Sequence, residues 1–228
     1  DIFCPLAAGG QTHVFSEELR MDMAGMRDYI NEHGIMAMDV STQIGMAMVN
    51  QYPEMKLKYL LLGGEKLLPC AGTDITMVNA YGPTEFTVTS SYHVVDQDKD
   101  TGNIPIGRPV PNTWSLICDI YGNLLPRGMT GELCLAGSQM AEGYWNQEEL
   151  TRERFVPCKP LNGTGFPVKA GETQLMYRTG DLARYNDEGE LEYLGRIDTQ
   201  VKLRGFRIEM GEIESTACSY EGVTDRKS

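Results

Sequence analysis

At 228 residues, with 41% hydrophobic and 23% charged side chains, the chain has the composition of a globular protein with material for a sizeable core, which excludes a wholly disordered polypeptide. Thirty-two Asp and Glu against twenty Lys and Arg leave a formal charge of -12, and the longest basic cluster runs only from Lys202 to Arg207, so no nucleic-acid partner is expected. Six cysteines without a C-x-x-C pair argue against zinc and a dense disulfide framework and for a reducing, cytoplasmic setting, while the lack of a leader or of a run of about 18 apolar residues argues against a membrane partner.

Residues 2–10 read as the middle of an apolar element, so the chain is expected to begin inside a larger fold. Ser16 is placed to cap a helix whose apolar positions Leu19, Met23, Met26 and Ile30 recur at spacings of four, three and four, with Glu17 and Glu18 at its positive end and Gly34 as its stop. The thirteen methionines, Met36, Met38, Met46 and Met48 among them, read as gap-filling core residues. After Pro53, the run Tyr59-Leu60-Leu61-Leu62 does not alternate and ends in Gly63-Gly64, as a parallel strand buried on both faces does. Residues 75–80 repeat the pattern more weakly and end in Tyr81-Gly82-Pro83. If both are parallel strands, Gly63-Gly64-Glu65 and Tyr81-Gly82-Pro83-Thr84-Glu85 reach the edge where open α/β sheets place ligands. From spacing alone, each reads first as an ordinary turn followed by a solvated Glu.

From about Ile104 glycines and prolines separate short alternating segments, such as Trp114 to Cys118 and Glu132 to Ala136, which predicts antiparallel β-structure, sheet or barrel. Asn146-Gln147-Glu148-Glu149 resembles a capping box opening a short helix toward Phe155. Asn186-Asp187-Glu188-Gly189 between two apolar runs predicts a hairpin. Residues 211–220 read as a helix just begun when the sequence ends.

Five segments in order carry a family resemblance: residues 60–67 (L-L-L-G-G-E-K-L), 79–85 (N-A-Y-G-P-T-E), 131–145 (G-E-L-C-L-A-G-S-Q-M-A-E-G-Y-W), 177–185 (Y-R-T-G-D-L-A-R-Y) and 195–214 (G-R-I-D-T-Q-V-K-L-R-G-F-R-I-E-M-G-E-I-E). Together they resemble the core motifs of adenylate-forming enzymes, and the L-A-R-Y and D-T-Q-V-K-L-R-G-F-R-I-E wording resembles the adenylation domains of nonribosomal peptide synthetases. The resemblance implies a ligase that joins an amino acid to ATP, releases pyrophosphate, and passes the acyl group to the pantetheine thiol of a carrier domain. It implies ATP or AMP and magnesium as cofactors, and carrier and neighbouring synthetase domains as partners. Positioning and charge neutralisation would carry such catalysis, because an anionic nucleophile approaches other anions.

On that resemblance Tyr81 matches the aromatic that stacks on adenine, and Thr84 the hydroxyl at the α-phosphate. Glu85 matches the magnesium carboxylate, Asp181 the acceptor of both ribose hydroxyls, and Arg196 the cation near ribose and phosphate. Gly63, Gly64, Glu65, Asn79, Ala80 and Gly82 complete the nucleotide set. Leu61, Gly63, Ala80, Val88 and Thr89 match the amino-acid pocket, with one more wall residue from residues 39–43. Asp198 matches the lid hinge; Lys202, Gly205 and Arg207 fall on lid elements near the pantetheine tunnel, or else form an exposed basic hairpin. His13, His33 and His93 share no spacing with each other or with a carboxylate–serine pair and read as surface or satisfied structural histidines.

The family's phosphate loop, amino-group aspartate and lid lysine would lie before Asp1 and beyond Ser228, so little adenylation activity is expected from this length of chain alone. Glu142 stands where the family often has a basic residue. Other adenylate-forming ligases, namely a stand-alone carrier-protein ligase or an acyl-CoA synthetase, and a non-catalytic scaffold remain the alternatives. The expected fold is α/β: the second half of a layered parallel core over residues 1–103, a β-rich, distorted-barrel subdomain over 104–195, and the hinge and start of a small α+β lid over 196–228.

Overall fold

A computed structural model of the chain describes residues 3–70, 72–158, 174–198, 200–203, 206–208 and 210–220. The apolar N-terminal stretch forms a short helix, α1 (Phe3–Ala7), that buries no side chain. Ser16 caps α2 (Glu17–Arg20) as expected, its Oγ accepting from the Leu19 N–H at 3.2 Å. The single helix read from Ser16 through Ile30 is, however, two. The Met21 and Asp22 N–H groups close back three residues, onto Glu18 and Leu19, and the extended Asp22 resets the chain before α3 (Met23–His33). Gly34 ends α3 in the left-handed conformation, φ 62°, with the Ile35 N–H on the Ile30 carbonyl.

Strand β1 (Ala37–Ser41), helix α4 (Thr42–Gln51), and strands β2 (Tyr59–Gly63) and β3 (Thr76–Tyr81) follow. The three strands pair in parallel in the order β1-β2-β3, and β4 (Ser91–Val94) and β5 (Arg108–Pro109) extend the sheet antiparallel. Helix α4 lies on the Leu60/Leu62 face of β2, so closely that a Cβ on Gly45 would stand 2.3 Å from Leu62 Cδ2. Ile30, Met48, Leu60 and Leu62 are fully buried there with Met26 and Met77, each contributing roughly 1.5–3 kcal/mol of transfer free energy. The methionines divide: Met48 is core and Met38 and Met46 pack against it, but Met36 is exposed. Strand β2 is likewise not buried evenly on both faces. Leu61 is half-buried and Tyr59 exposed, because α4 covers one side and the Tyr59 ring instead receives the Lys58 ammonium at 5.1 Å.

The second sheet contains β6 (Thr113–Cys118), β7 (Gly131–Gly137), then after α5 (Glu148–Arg154) β8 (Phe155–Pro157), β9 (Leu175–Tyr185) and β10 (Leu191–Arg196). It is antiparallel throughout, in the order β10-β9-β7-β6 with β8 on β9, and among the described residues it stays open, β10 and β6 being its outer strands. The predicted hairpin joins β9 to β10: the Asn186 N–H reaches the Glu190 carbonyl and Asn186 Oδ1 accepts the Glu190 N–H at 2.8 Å. The capping box before α5 does not form. Gln147 is the cap residue and makes no side-chain bond, Asn146 sits at φ 54°, and Thr151 Oγ1 accepts the Tyr144 N–H instead.

The sheets are tied where Ile106 N–H meets the Leu191 carbonyl and Leu191 N–H the Gly107 carbonyl, both at 2.8 Å. Gly107 is needed there, since it has φ 77° and a Cβ would stand 1.9 Å from the Tyr92 carbonyl oxygen. Tyr81 and Phe86 from the first sheet's end share a core with Ile117, Leu133, Leu135 and Leu191 of the second. The end of β3 is thereby pressed against β9 and β10. A hairpin of β11 (Val201–Leu203) and β12 (Phe206–Ile208) and the predicted helix, α6 (Met210–Cys218), complete the described residues. Helices on a mixed sheet beside a curled antiparallel one make the fold α/β.

Candidate functional site

The site grows from the carboxyl ends of β2 and β3. Along β3 the odd residues are buried, and Asn79 is fixed by its Nδ2 donating to the Pro105 carbonyl at 2.7 Å. Gly82 lets the chain fold back: a Cβ there would lie 2.1 Å from the Val88 carbonyl oxygen and 2.7 Å from the Ser90 nitrogen. Between them a 3-10 turn, Thr84–Phe86, is followed by Thr87 and Val88 at φ 52° and 68°, and the Ser90 N–H closes the loop on the Tyr81 carbonyl at 2.8 Å. Two consecutive β-branched residues at positive φ are uncommon, and such strain concentrates at functional loops.

Glu85 is 8% exposed. Its Oε1 accepts from the Tyr144 hydroxyl at 2.6 Å and its carbonyl from the Ala141 N–H at 2.9 Å. Tyr144 packs edge-on against Phe155, which packs against Tyr177, and the two phenol oxygens lie 3.4 Å apart. Burial, with Tyr144 and Glu85 beside it, pushes the Tyr177 phenol well above its ordinary pKa.

On the other flank Asp181 of β9 is 3% exposed and held from two sides. Tyr81 donates its hydroxyl to Oδ2, and Arg196 Nη1 donates to Oδ1 at 2.9 Å. The cross-strand pairing of Asp181 with Arg196 in β9 and β10 sets this contact. The rest of the Arg196 guanidinium is engaged by the Thr179 carbonyl at 2.9 Å and, as a fork, by both oxygens of Asp198 at 2.8 and 2.5 Å. That fork holds the Asp198 carboxyl below its ordinary pKa. Burial, then the Asp181 charge, raise the Tyr81 phenol well above its own.

A cavity of about 220 Å³ opens where these parts meet. Seven of the residues singled out in the sequence line it: Gly64, Glu65, Asn79, Ala80, Tyr81, Gly82 and Arg196. Asp181 lies behind Tyr81 and Arg196; Thr84 and Glu85 follow in the turn beyond Gly82, off the cavity wall. Leu61, Gly63 and Ala80 alternate onto the β2–β3 face opposite α4, and Gly63 comes close enough to β3 that a Cβ would meet the Ala80 oxygen at 3.1 Å. Val88 is 58% exposed and Thr89 half-buried on the returning loop. Asp39 pairs with Leu61 on that same face. Asp198 borders a second cavity of about 220 Å³ beside Gly180, with Arg154 and Arg178. Gly205 lies outside the described residues, and Lys202 and Arg207 pair across β11 and β12.

Sequence patterns did not single out Asn103, Ile106 or Tyr193, which also line the first cavity, or Tyr144 and Tyr177 around Glu85. The two latter stand inside quoted motifs; the others sit in loops or strands where only the fold brings them in. Of the histidines, His13 bonds Tyr29, the exposed His33 stacks on the same ring, and His93 lies between Asp100 and Glu190 at 2.8 and 3.0 Å. Among the described residues no three His, Cys, Asp or Glu side chains cluster as a metal site, and no helix is long and apolar enough to cross a membrane.

Comparison with known proteins agrees with this geometry. The family model described as AMP-binding enzyme matches residues 1–145. Bacitracin synthase 1 of Bacillus licheniformis is 39% identical over 225 residues, covering 99% of this chain, and surfactin synthase subunit 1 of Bacillus subtilis (strain 168) is 37% identical over 236. The chain spans only 4% and 6% of the lengths of those two relatives. Among solved structures, holo-PA1221, described as an NRPS protein containing adenylation and PCP domains bound to a vinylsulfonamide inhibitor, aligns with a TM-score of 0.73 at 31% identity, over 86% of this chain and 34% of that one. The fold of NpsA-ThdA, an artificially fused adenylation-PCP di-domain from Klebsiella oxytoca, also matches, with a TM-score of 0.75 over 90% of this chain and 39% of that one, at 24% identity. With a family match over more than half its length, the chain belongs to the AMP-binding enzyme family, and it shares its architecture with a nonribosomal peptide synthetase protein containing adenylation and PCP domains.

Proposed function

We propose that the chain supplies the nucleotide side, and part of the amino-acid side, of an amino-acid-activating adenylation domain. An amino-acid carboxylate attacks the α-phosphorus of ATP, pyrophosphate leaves, and the aminoacyl adenylate passes to the pantetheine thiol of a carrier-protein domain. The observation that carries this reading is the cavity at the ends of β2 and β3, walled by Gly64, Glu65, Ala80, Tyr81, Gly82 and Arg196 with Asp181 behind it. Its apolar floor and permanent cation suit a base and an anion respectively.

In this reading the Tyr81 ring lies against adenine and Asp181 accepts the ribose hydroxyls. Both Asp181 oxygens already carry a bond, and the group is buried. Binding therefore exchanges the Tyr81 hydroxyl for ribose hydroxyls. Arg196 faces ribose and phosphate, and Thr84 the α-phosphate, with Gly63 and Asn79 holding the wall. Glu85 is a single carboxylate outside any cluster of metal-ligating side chains among the described residues. This fits magnesium, which keeps several waters and takes one or two carboxylates along with substrate phosphates. The ion would neutralise phosphate charge there. Leu61, Gly63, Ala80, Val88 and Thr89 form part of the amino-acid wall. Asp198 is the hinge between a core and β-rich subdomain (1–103 and 104–195) and a lid that begins at residue 196.

Amino-acid-dependent exchange of pyrophosphate into ATP, screened across amino acids with the polypeptide that carries this chain, tests the proposal. Exchange with one or a few amino acids supports it. Exchange with fatty acids alone, or with nothing, overturns it.

A further inference from the structure

Glu85 is held by more than the bonds of its own turn. The loop that follows β7 reaches over and fastens it. Thr87 Oγ1 donates to the Gln139 carbonyl at 2.7 Å, Ala141 N–H to the Glu85 carbonyl at 2.9 Å, and the Tyr144 hydroxyl to Glu85 Oε1 at 2.6 Å. Tyr144 is itself set from behind. Its N–H is taken by Thr151 Oγ1 at 2.9 Å, and Gly143, at φ 149°, has no room for a Cβ because Thr151 Cγ2 would stand 2.5 Å away. Its ring leans on Phe155, 6% exposed, which leans on Tyr177, 1% exposed. Two phenols, one in the loop between β7 and α5 and one on β9, 59 and 92 residues distant, thus converge on one carboxylate. A turn that needed only structural support is already closed by the Ala141 and Thr87 contacts; the phenol adds a directed bond to the carboxylate oxygen itself.

We infer that Tyr144, backed by Phe155 and Tyr177, is a positioning residue that fixes the rotamer of Glu85 for a divalent cation bound with the triphosphate. The inference rests on the nucleotide reading above. A phenol on one oxygen pins the plane of the carboxylate and so directs its remaining lone pairs. The loop after β7 thereby couples the second sheet to the metal-binding turn of the first.

Calorimetric titration of the polypeptide that carries this chain with AMP lacking magnesium, and with ATP across a magnesium series, separates the roles. Tyr144→Phe is expected to leave AMP affinity within about twofold and to weaken magnesium-dependent ATP binding about tenfold, the effect of one charge-assisted hydrogen bond. The magnesium concentration needed for half-maximal ATP binding should rise in parallel. Glu85→Gln should abolish the magnesium dependence, and adding Tyr144→Phe to it should cost nothing further. Equal loss for AMP and ATP in Tyr144→Phe, or no loss for either, overturns the inference while leaving the nucleotide reading in place. Failure of the unaltered polypeptide to bind either nucleotide overturns both.

Discussion

Tyr81 and Asp181, 100 residues apart in the chain, meet just behind the cavity wall, the phenol donating to carboxylate Oδ2. The last residue of a parallel strand in one sheet is thus bonded to the middle of the longest strand in the other. The pair joins the two sheets and at the same time covers the carboxylate that the proposed function gives to ribose.

Substitutions at Tyr81 should separate these two effects. Tyr81→Phe keeps the ring and leaves Asp181 its Arg196 partner, so stability is expected to fall by about 1–2 kcal/mol. AMP affinity should hold or improve, because no phenol has to be displaced. Tyr81→Ala removes the stacking face and should weaken AMP about ten- to a hundredfold. Calorimetry with AMP on both variants reads the difference, and equal losses would remove stacking from the account.

The Asp181–Arg196 pair is buried on both sides, with side chains 4% and 12% exposed. Arg196→Met strands a carboxylate in the interior and is expected to cost about 3–5 kcal/mol in urea denaturation. Adding Asp181→Asn should restore more than half of that loss, since the stranded charge is gone. Additive losses would mean that the pair's burial is not what makes the single change costly.

Legibility from sequence followed the physics of each element. The β9–β10 hairpin, β2, β3 and the Gly34 stop were readable because local patterns alone determine them. The break at Asp22 was not, because the apolar spacing runs straight through it and only three-residue closing bonds end α2. Strand β1 was missed since its five residues, A-M-D-V-S, neither alternate cleanly nor form an apolar run, and parallel pairing to β2 makes it a strand. In the site, Tyr81, Asp181 and Arg196 stood in motif positions, and the structure brings them within bonding distance. Asn103 and Tyr193 carried no local signal. They line the cavity only because Ile106 and Gly107 dock on Leu191, a contact across more than eighty residues.

Alkaline titration gives a signed test of the buried phenols. Burial pushes Tyr185 up to about 12 and raises Tyr81 and Tyr177 as well. A folded value above the unfolded one of about 10 means the stabilising contribution is whole below pH ~10 and is lost as pH rises toward the folded value. Tyr185 also donates to the Ser115 carbonyl at 2.8 Å. The gap in unfolding midpoint between the wild type and Tyr185→Phe should therefore stay constant up to about pH 10 and narrow above it. Phenolate absorbance rising fully before unfolding would contradict the buried assignment.

The loop that folds back over Gly82 makes opposite predictions for two neighbours. Gly82→Ala drives a Cβ to 2.1 Å from the Val88 carbonyl oxygen, a backbone atom that cannot rotate away. The expected loss is about 3 kcal/mol. Val88, by contrast, is a β-branched residue at φ 68° that is 58% exposed, so it has strain to relieve and little packing to lose. Left-handed geometry costs a non-glycine residue about 1–2 kcal/mol, and glycine's extra chain entropy returns about half of that. Val88→Gly should thus stabilise the fold by roughly 0.5–1 kcal/mol in chemical denaturation. If the proposed amino-acid wall includes Val88, the same variant should change which amino acids drive pyrophosphate exchange. A stabilised protein with an unchanged amino-acid profile would mean that the strain serves the return of the chain to Ser90 and not the pocket.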